Sequence, residues 1–183
     1  MTEQDYGTLE RGDGTVTIRF TRQLAHPPPK VWRALTEAGH VAAWFPTTIE
    51  GEFAAGAPLV FRFTKLSIPP MSGRMIVCEP PKLLEFTWDD ETLRFELDPH
   101  ESGTRLDFTA TFAELGKAAR DAAGWHVCLE QLAYSIDGRS GGPGPGPEDQ
   151  RWREIHPHYV AAFGPDASAI GPPEEWQDEY GPA

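Results

Sequence analysis

The stretch that decides the fold is Lys117–Asp137, KAARDAAGWHVCLEQLAYSID. Ala118, Ala122, Trp125, Leu129, Leu132 and Ile136 recur at alternating intervals of four and three, which puts them on one face of a helix. The segment contains no proline, and Gly138, Gly141 and Gly142 followed by Pro143 supply its stop. At about 1.5 Å per residue the helix is about 30 Å long. An apolar face of that length needs a partner surface, and the strand-like runs before it are the obvious one.

Those runs begin at Thr15, where Val16, Ile18, Phe20 and Leu24 alternate with Thr17, Arg19, Thr21 and Gln23. His26-Pro27-Pro28-Pro29 ends this strand and leads into a short helix with Val31, Trp32, Ala34 and Leu35 on its apolar face. A turn over Thr36–Gly39 precedes a second short helix carrying Val41, Ala42, Trp44 and Phe45, ended by Pro46. Further strands are expected over Thr47–Phe53, Leu59–Phe63, Ser72–Glu79, Leu84–Trp88, Leu93–Leu97 and Leu106–Phe112. Asp89-Asp90 and Pro99–Gly103 are read as hairpin turns. Short polar connections favour an antiparallel meander. The predicted class is α+β: a curved antiparallel sheet wrapped around a long C-terminal helix, with two short helices after the first strand and a cavity between helix and sheet.

Around this domain, residues 15–137, lie three other segments. Residues 1–14 are polar and punctuated by glycine, and are expected to form a flexible arm or a short edge element. Residues 138–150 are a Gly/Pro linker by composition. Residues 151–183 form an acidic extension in which Trp152, Ile155 and Tyr159 stand at helical spacing, with Pro157 placed to break or kink that helix. This extension either packs back on the core or swaps onto a second copy, which would make a homodimer.

The net charge of −12 argues against a nucleic-acid footprint and against an anionic membrane surface, while one buried arginine would still suffice for a small anion. No apolar run is long enough to span a membrane, and no secretion signal is read at the start, so the expected location is cytoplasmic. Cys78 and Cys128 have neither a disulfide pattern nor metal-ligand spacing, and Cys128 reads as a core residue. His156 and His158, two apart, diverge on a helix and make a poor metal pair. The residues imply no metal, no cofactor and no identifiable catalytic set. Arg19, Arg62, Arg74, Arg94 and Arg105 read as a solvated outer sheet face paired with Glu85, Glu96 and Asp107. His126 is read as a flank residue or as a titratable group inside the cavity. Gly124 either permits close approach of a strand or makes room for a ligand. Trp44, Phe61, Phe63, Trp88, Phe108, Trp125 and His126 are the candidate cavity residues.

Val31-Trp32-Arg33-Ala34-Leu35-Thr36 with Ala43-Trp44-Phe45-Pro46, then Gly73 to Pro81, Leu83 to Trp88, Gly103-Thr104-Arg105-Leu106 and Ala122-Ala123-Gly124-Trp125-His126, occur in an order that resembles one family. It is the family named for the activator of Hsp90 ATPase, in the START-like or Bet v 1-like superfamily (SRPBCC) with its helix-grip fold. The resemblance covers residues 15–137. It implies a deep apolar cavity and, most directly, binding of a small hydrophobic, amphipathic or aromatic molecule. Two alternatives remain: a cyclase- or hydrolase-type enzyme using the same cavity, and a chaperone-linked or other protein-interaction role.

Overall fold

A computed structural model describes residues 5–63, 68–139 and 150–171 of the chain. Its strands are β1 (Thr8–Arg11), β2 (Val16–Leu24), β3 (Thr48–Gly51), β4 (Pro58–Arg62), β5 (Met71–Glu79), β6 (Leu83–Trp88), β7 (Glu91–His100) and β8 (Gly103–Phe112). The helices are α1 (Pro28–Thr36), α2 (Ala38–Val41), α3 (Ala118–Ile136) and α4 (Gln150–Phe163). One antiparallel sheet has the order β1-β2-β8-β7-β6-β5-β4-β3. From β3 to β8 it is a meander, and β2 closes it by pairing with β8 from Val16↔Phe112 to Leu24↔Thr104. This is the helix-grip arrangement expected of the sequence.

Alternation builds the inner face. Val16, Ile18, Phe20 and Leu24 of β2 are buried, as are Leu93, Phe95 and Leu97 of β7 and Leu106, Phe108, Ala110 and Phe112 of β8. The outer face carries the expected charge pairs. Arg94 bonds Glu85 and Glu96, Arg105 bonds Asp107 at 3.0 Å and Arg62 bonds Glu50 at 2.8 Å. Such exposed pairs contribute roughly 0–1 kcal/mol each, so the inner rings and not these ions set stability.

Helix α3 spans the predicted residues but is buried on two sides where one was expected. The sheet-facing line is Ala118, Ala122, Trp125, Leu129, Leu132 and Ile136. A second line, Ala119, Ala123 and His126, is also buried, on the side where His126 and Glu130 meet Tyr159 and Arg151 of α4. Four alanines in the first half let the helix approach both surfaces closely.

Several elements differ from the sequence reading. The second short helix starts at Ala38, not Val41. Glu37 is extended, ends α1, and its carbonyl accepts from the His40 and Val41 N–H groups, so helix begins there. Trp44 and Phe45 then fall in the following turn, with Trp44 Nε1 donating to the Ala34 carbonyl at 2.9 Å. Strand β4 stops at Arg62 and leaves Phe63 beyond it. The N-terminal segment contributes β1, paired with β2. Helix α4 runs through Pro157, because the buried side chains of Trp152, Ile155, Tyr159 and Phe163 hold it on α3 where propensity alone would break it. Residues 140–149, most of the expected linker, and 172–183 lie outside the described residues. None of the described helices is long and apolar enough to cross a membrane.

Phe95 touches Trp44, Phe86 and Phe108 and is 1% exposed. Phe95→Ala should cost about 3–5 kcal/mol, read as a lower midpoint of urea unfolding with little change in slope.

Candidate ligand site at helix α3

Asp121, Gly124, Cys128 and Gln131 follow one another along a single line of α3, at intervals of three, four and three. A Cβ added at Gly124 would meet no atom of another described residue within 4 Å beyond its chain neighbours and its own helix backbone, and its backbone is not in the left-handed region. Neither strain nor crowding therefore requires glycine there, although glycine costs about 1 kcal/mol in a helix interior. Among the described residues no strand comes within 4 Å of that added Cβ.

The Trp125 ring is bedded in an aromatic network. It lies 5.5 Å from Trp88, 5.7 Å from Phe45 and 5.1 Å from Phe108, centroid to centroid. Phe108 continues to Phe95 at 4.8 Å, and Phe61 stacks on Phe86 at 5.9 Å. Trp44, Phe61, Phe108 and Trp125 are buried, whereas Trp88 and Phe63, 6.4 Å apart, are only half-buried. The network thus reaches the surface at Trp88 and Phe63. Six of the seven sequence candidates belong to this one network or its margin. Sequence could place them on the inner face but could not say which were core and which were rim.

Polar atoms border the same side. Trp88 Nε1, Asp121 Oδ2, Gln131 Oε1 and Glu91 Oε2 are buried without a hydrogen-bond partner among the described residues. Glu91, paired with Trp88 across the β6–β7 hairpin, accepts from Lys117 Nζ at 2.8 Å, and Asp121 lies 3.7 Å from the same nitrogen. Burial first, and Asp121 second, push the Glu91 carboxyl up to about 7, against the pull of Lys117. Burial disfavours the Lys117 charge, but Glu91, Asp121 and Asp90 outweigh it and raise its pKa. The sequence reading took this hairpin only as a turn at Asp89-Asp90. What it missed was the in-phase position of Glu91 with Leu93, Phe95 and Leu97.

His126 lies elsewhere. It is fully buried on the α4 side, with its ring against Tyr6, Phe20 and Tyr159 and not against Trp88 or Trp125. The Gly7 N–H donates to Tyr159 Oη at 3.0 Å, and that hydroxyl lies 2.7 Å from His126 Nδ1. His126 Nε2 is 3.2 Å from the Glu130 carboxylate, which can only accept, so the Nε2–H tautomer fits, with Nδ1 accepting from tyrosine. Arg151 closes the chain on Glu130 through Nε at 2.8 Å and Nη2 at 2.6 Å. Burial lowers the His126 pKa, which keeps the ring neutral, with the Glu130 bond opposing. Burial also acts against the Glu130 charge, but Arg151 and His126 outweigh it and bring its pKa down to about 2. Cys128 is buried, with its thiol pushed up by desolvation, as fits a core residue. His156 stacks on Trp152 and His158 on Tyr6, and the described residues contain no cluster able to hold a metal.

Residues 25–136 match the family described as Activator of Hsp90 ATPase homolog 1-like protein. The chain belongs to that family. No curated protein matches it. A solved conserved protein of unknown function from Enterococcus faecalis is 23% identical, with a TM-score of 0.70 over 85% of this chain and 88% of its own. CalU16 from Micromonospora echinospora is 20% identical, with a TM-score of 0.66 over 86% and 96%. A Nitrosomonas europaea protein is 25% identical, with a TM-score of 0.57 over 67% and 94%. The first two, below 25% identity, establish the fold alone. Within this AHSA1-like chain, β1, β2 and α4 all fall outside the matched residues, so the Gly7–Tyr159–His126 chain joins two flanking segments to the matched region.

Two outcomes follow from the charges and the tyrosine. In the folded state Glu91 keeps a proton that the unfolded chain releases, between its ordinary value of 4.5 and about 7. The folded state binds more protons in that window, so this contribution is present below about pH 4.5 and lost as pH rises to about 7. Glu91→Gln should raise Tm relative to the native chain above about pH 7 and do so much less near pH 4.5; a pH-independent difference would show Glu91 ionised throughout. Tyr159→Phe strips partners from the Gly7 N–H and His126 Nδ1 and should cost about 1–3 kcal/mol, with faster hydrogen exchange at Gly7 and along β1.

Proposed function

We propose that this AHSA1-like protein binds a small hydrophobic or amphipathic molecule between α3 and the sheet, against Trp125, Trp88, Phe45 and Phe63. The observation that carries the reading is the aromatic network of Trp125, Phe45 and Trp88, which reaches the surface at Trp88 and Phe63, on a helix whose Gly124 would meet no other described residue if a Cβ were added. An apolar body would lie against those rings. Trp88 Nε1 is a donor and Gln131 Oε1 an acceptor, both buried without a hydrogen-bond partner among the described residues, which supports a ligand with one polar end.

Glu91 supports a second reading, that of an enzyme. A buried carboxyl held near neutrality, next in the hairpin to the Trp88–Trp125 wall, is suited to exchange a proton with a molecule bound there. An activity carried this way would be lost in Glu91→Gln while binding of the molecule survived.

Native mass spectrometry of protein purified from its own host, before and after denaturation, should show a small molecule released on unfolding. In parallel, uncharged Nile red should bind the delipidated protein saturably and quench tryptophan emission. Gly124→Ala should stabilise by about 1 kcal/mol through helix propensity, and Gly124→Phe should fold and yet lose the dye. An empty protein that takes up no dye, or dye binding that Gly124→Phe leaves intact, would overturn the reading.

A further inference from the structure

The opposite side of α3 bounds a separate cleft of about 480 Å³, walled by Leu129, Ala133 and Tyr134 and carrying Arg22, His126 and Glu130. Its volume is that of a small-molecule site. Gly124 and His126 are two residues apart on the helix, about 200° around its axis, so this cleft and the Gly124 space face different ways.

Arg22 is the residue the sequence reading passed over. It stands in phase with Val16, Ile18, Phe20 and Leu24, on the inner side of β2, where alternation calls for an apolar residue. Its Nη1 donates to the Thr21 carbonyl at 3.1 Å, and its guanidinium lies 5.1 Å from the centre of the Phe20 ring. Its Nη2 is buried and has no hydrogen-bond partner among the described residues. A buried guanidinium with an unused donor is costly unless an acceptor arrives. The other charges of the cleft are engaged in pairs. Arg151 forks onto Glu130, and Arg139 packs on the Tyr134 ring 3.9 Å from the Asp137 carboxylate, which also accepts from His26. Asp5, at the edge, attracts Arg22 through space.

We propose that this cleft binds a small organic carboxylate, its anionic head on Arg22 Nη2 and its apolar body against Leu129, Ala133 and Tyr134. Arg22, Arg139 and Arg151 are balanced by Asp5, Glu130 and Asp137, so the cleft has no surplus of positive charge to hold a dianion. The whole chain, at −12, repels one further. A monoanion matched to one guanidinium suits both facts, and the guanidinium edge suits the geometry of a carboxylate.

Cyclohexanecarboxylate and its uncharged analogue cyclohexylmethanol are the probes, titrated while the Ala133 and Leu129 methyl signals are followed by NMR. The carboxylate should shift both signals saturably, and the alcohol and inorganic phosphate should not. Arg22→Met should weaken the carboxylate by about tenfold or more, the loss of one charge-assisted hydrogen bond, and Ala133→Leu should block it by filling the cleft while every charge is retained. Gly124→Phe, which fills the space proposed above, should leave this binding unchanged, so failure at one site is distinguishable from failure at the other. No shift with the carboxylate, equal shifts with the alcohol, or undiminished binding in both Arg22→Met and Ala133→Leu would overturn the assignment. If Arg22→Met does not fold, Ala133→Leu alone decides.

Discussion

Burial of α3 on two sides is the constraint on which the other elements depend. The sheet receives the line from Ala118 to Ile136, and α4 covers Ala119, Ala123 and His126. Either surface alone would leave a long apolar stripe in water. At about 25 cal/mol per Å² of apolar area, covering such a stripe outweighs what helix propensity contributes. The demand explains why α4 tolerates a proline in its middle. It also explains why β1 is pinned by Gly7 to a tyrosine more than 150 residues away, at |i−j| = 152. The third side of α3 is left partly uncovered, and there the helix carries Gly124 and unpartnered polar atoms where packing would call for apolar ones.

Charge is handled in two ways. On the outer face it is paired in water and contributes little. Inside, the ionisable groups gather in two clusters. Glu91 and Lys117 share one end of α3, and His126, Glu130 and Arg151 share the α4 interface. Their linkage signs oppose. A carboxyl raised by burial favours the fold at low pH, whereas a histidine kept neutral and a carboxylate held near 2 favour it as pH rises. The result should be a flatter pH dependence than any one group would impose.

Several of the buried polar groups lie in segments that flank the family match. The matched residues 25–136 contain the meander, the short helices and α3, while Arg22, Tyr159 and Arg151 lie outside them. The cleft of Arg22 therefore draws on both flanking segments, whereas the rings of Trp88 and Trp125 lie within the matched residues.

The period of four and three in Lys117–Asp137 and the alternation along β2 to β8 were enough by themselves to determine the helix and the antiparallel sheet, and the order of short motifs from Val31-Trp32 to Trp125-His126 carried the resemblance to the family. Those patterns are local, set by backbone geometry and by which face must be dry. The sequence also placed Trp44, Phe61, Phe108 and Trp125 inside, and Trp152, Ile155 and Tyr159 on a helix. Tertiary structure alone decided the rest. Periodicity names a buried face but not its neighbour, so it could not tell that His126 meets Tyr159 and not Trp88, or that α3 is covered twice. Nor could it tell an apolar wall that is filled from one that is open, because the space at Gly124 depends on what fails to come near it. Arg22 and Glu91 were legible in principle as charged residues in apolar phase. That such residues are buried and incompletely paired depends on residues far away in the chain, which only the fold brings beside them.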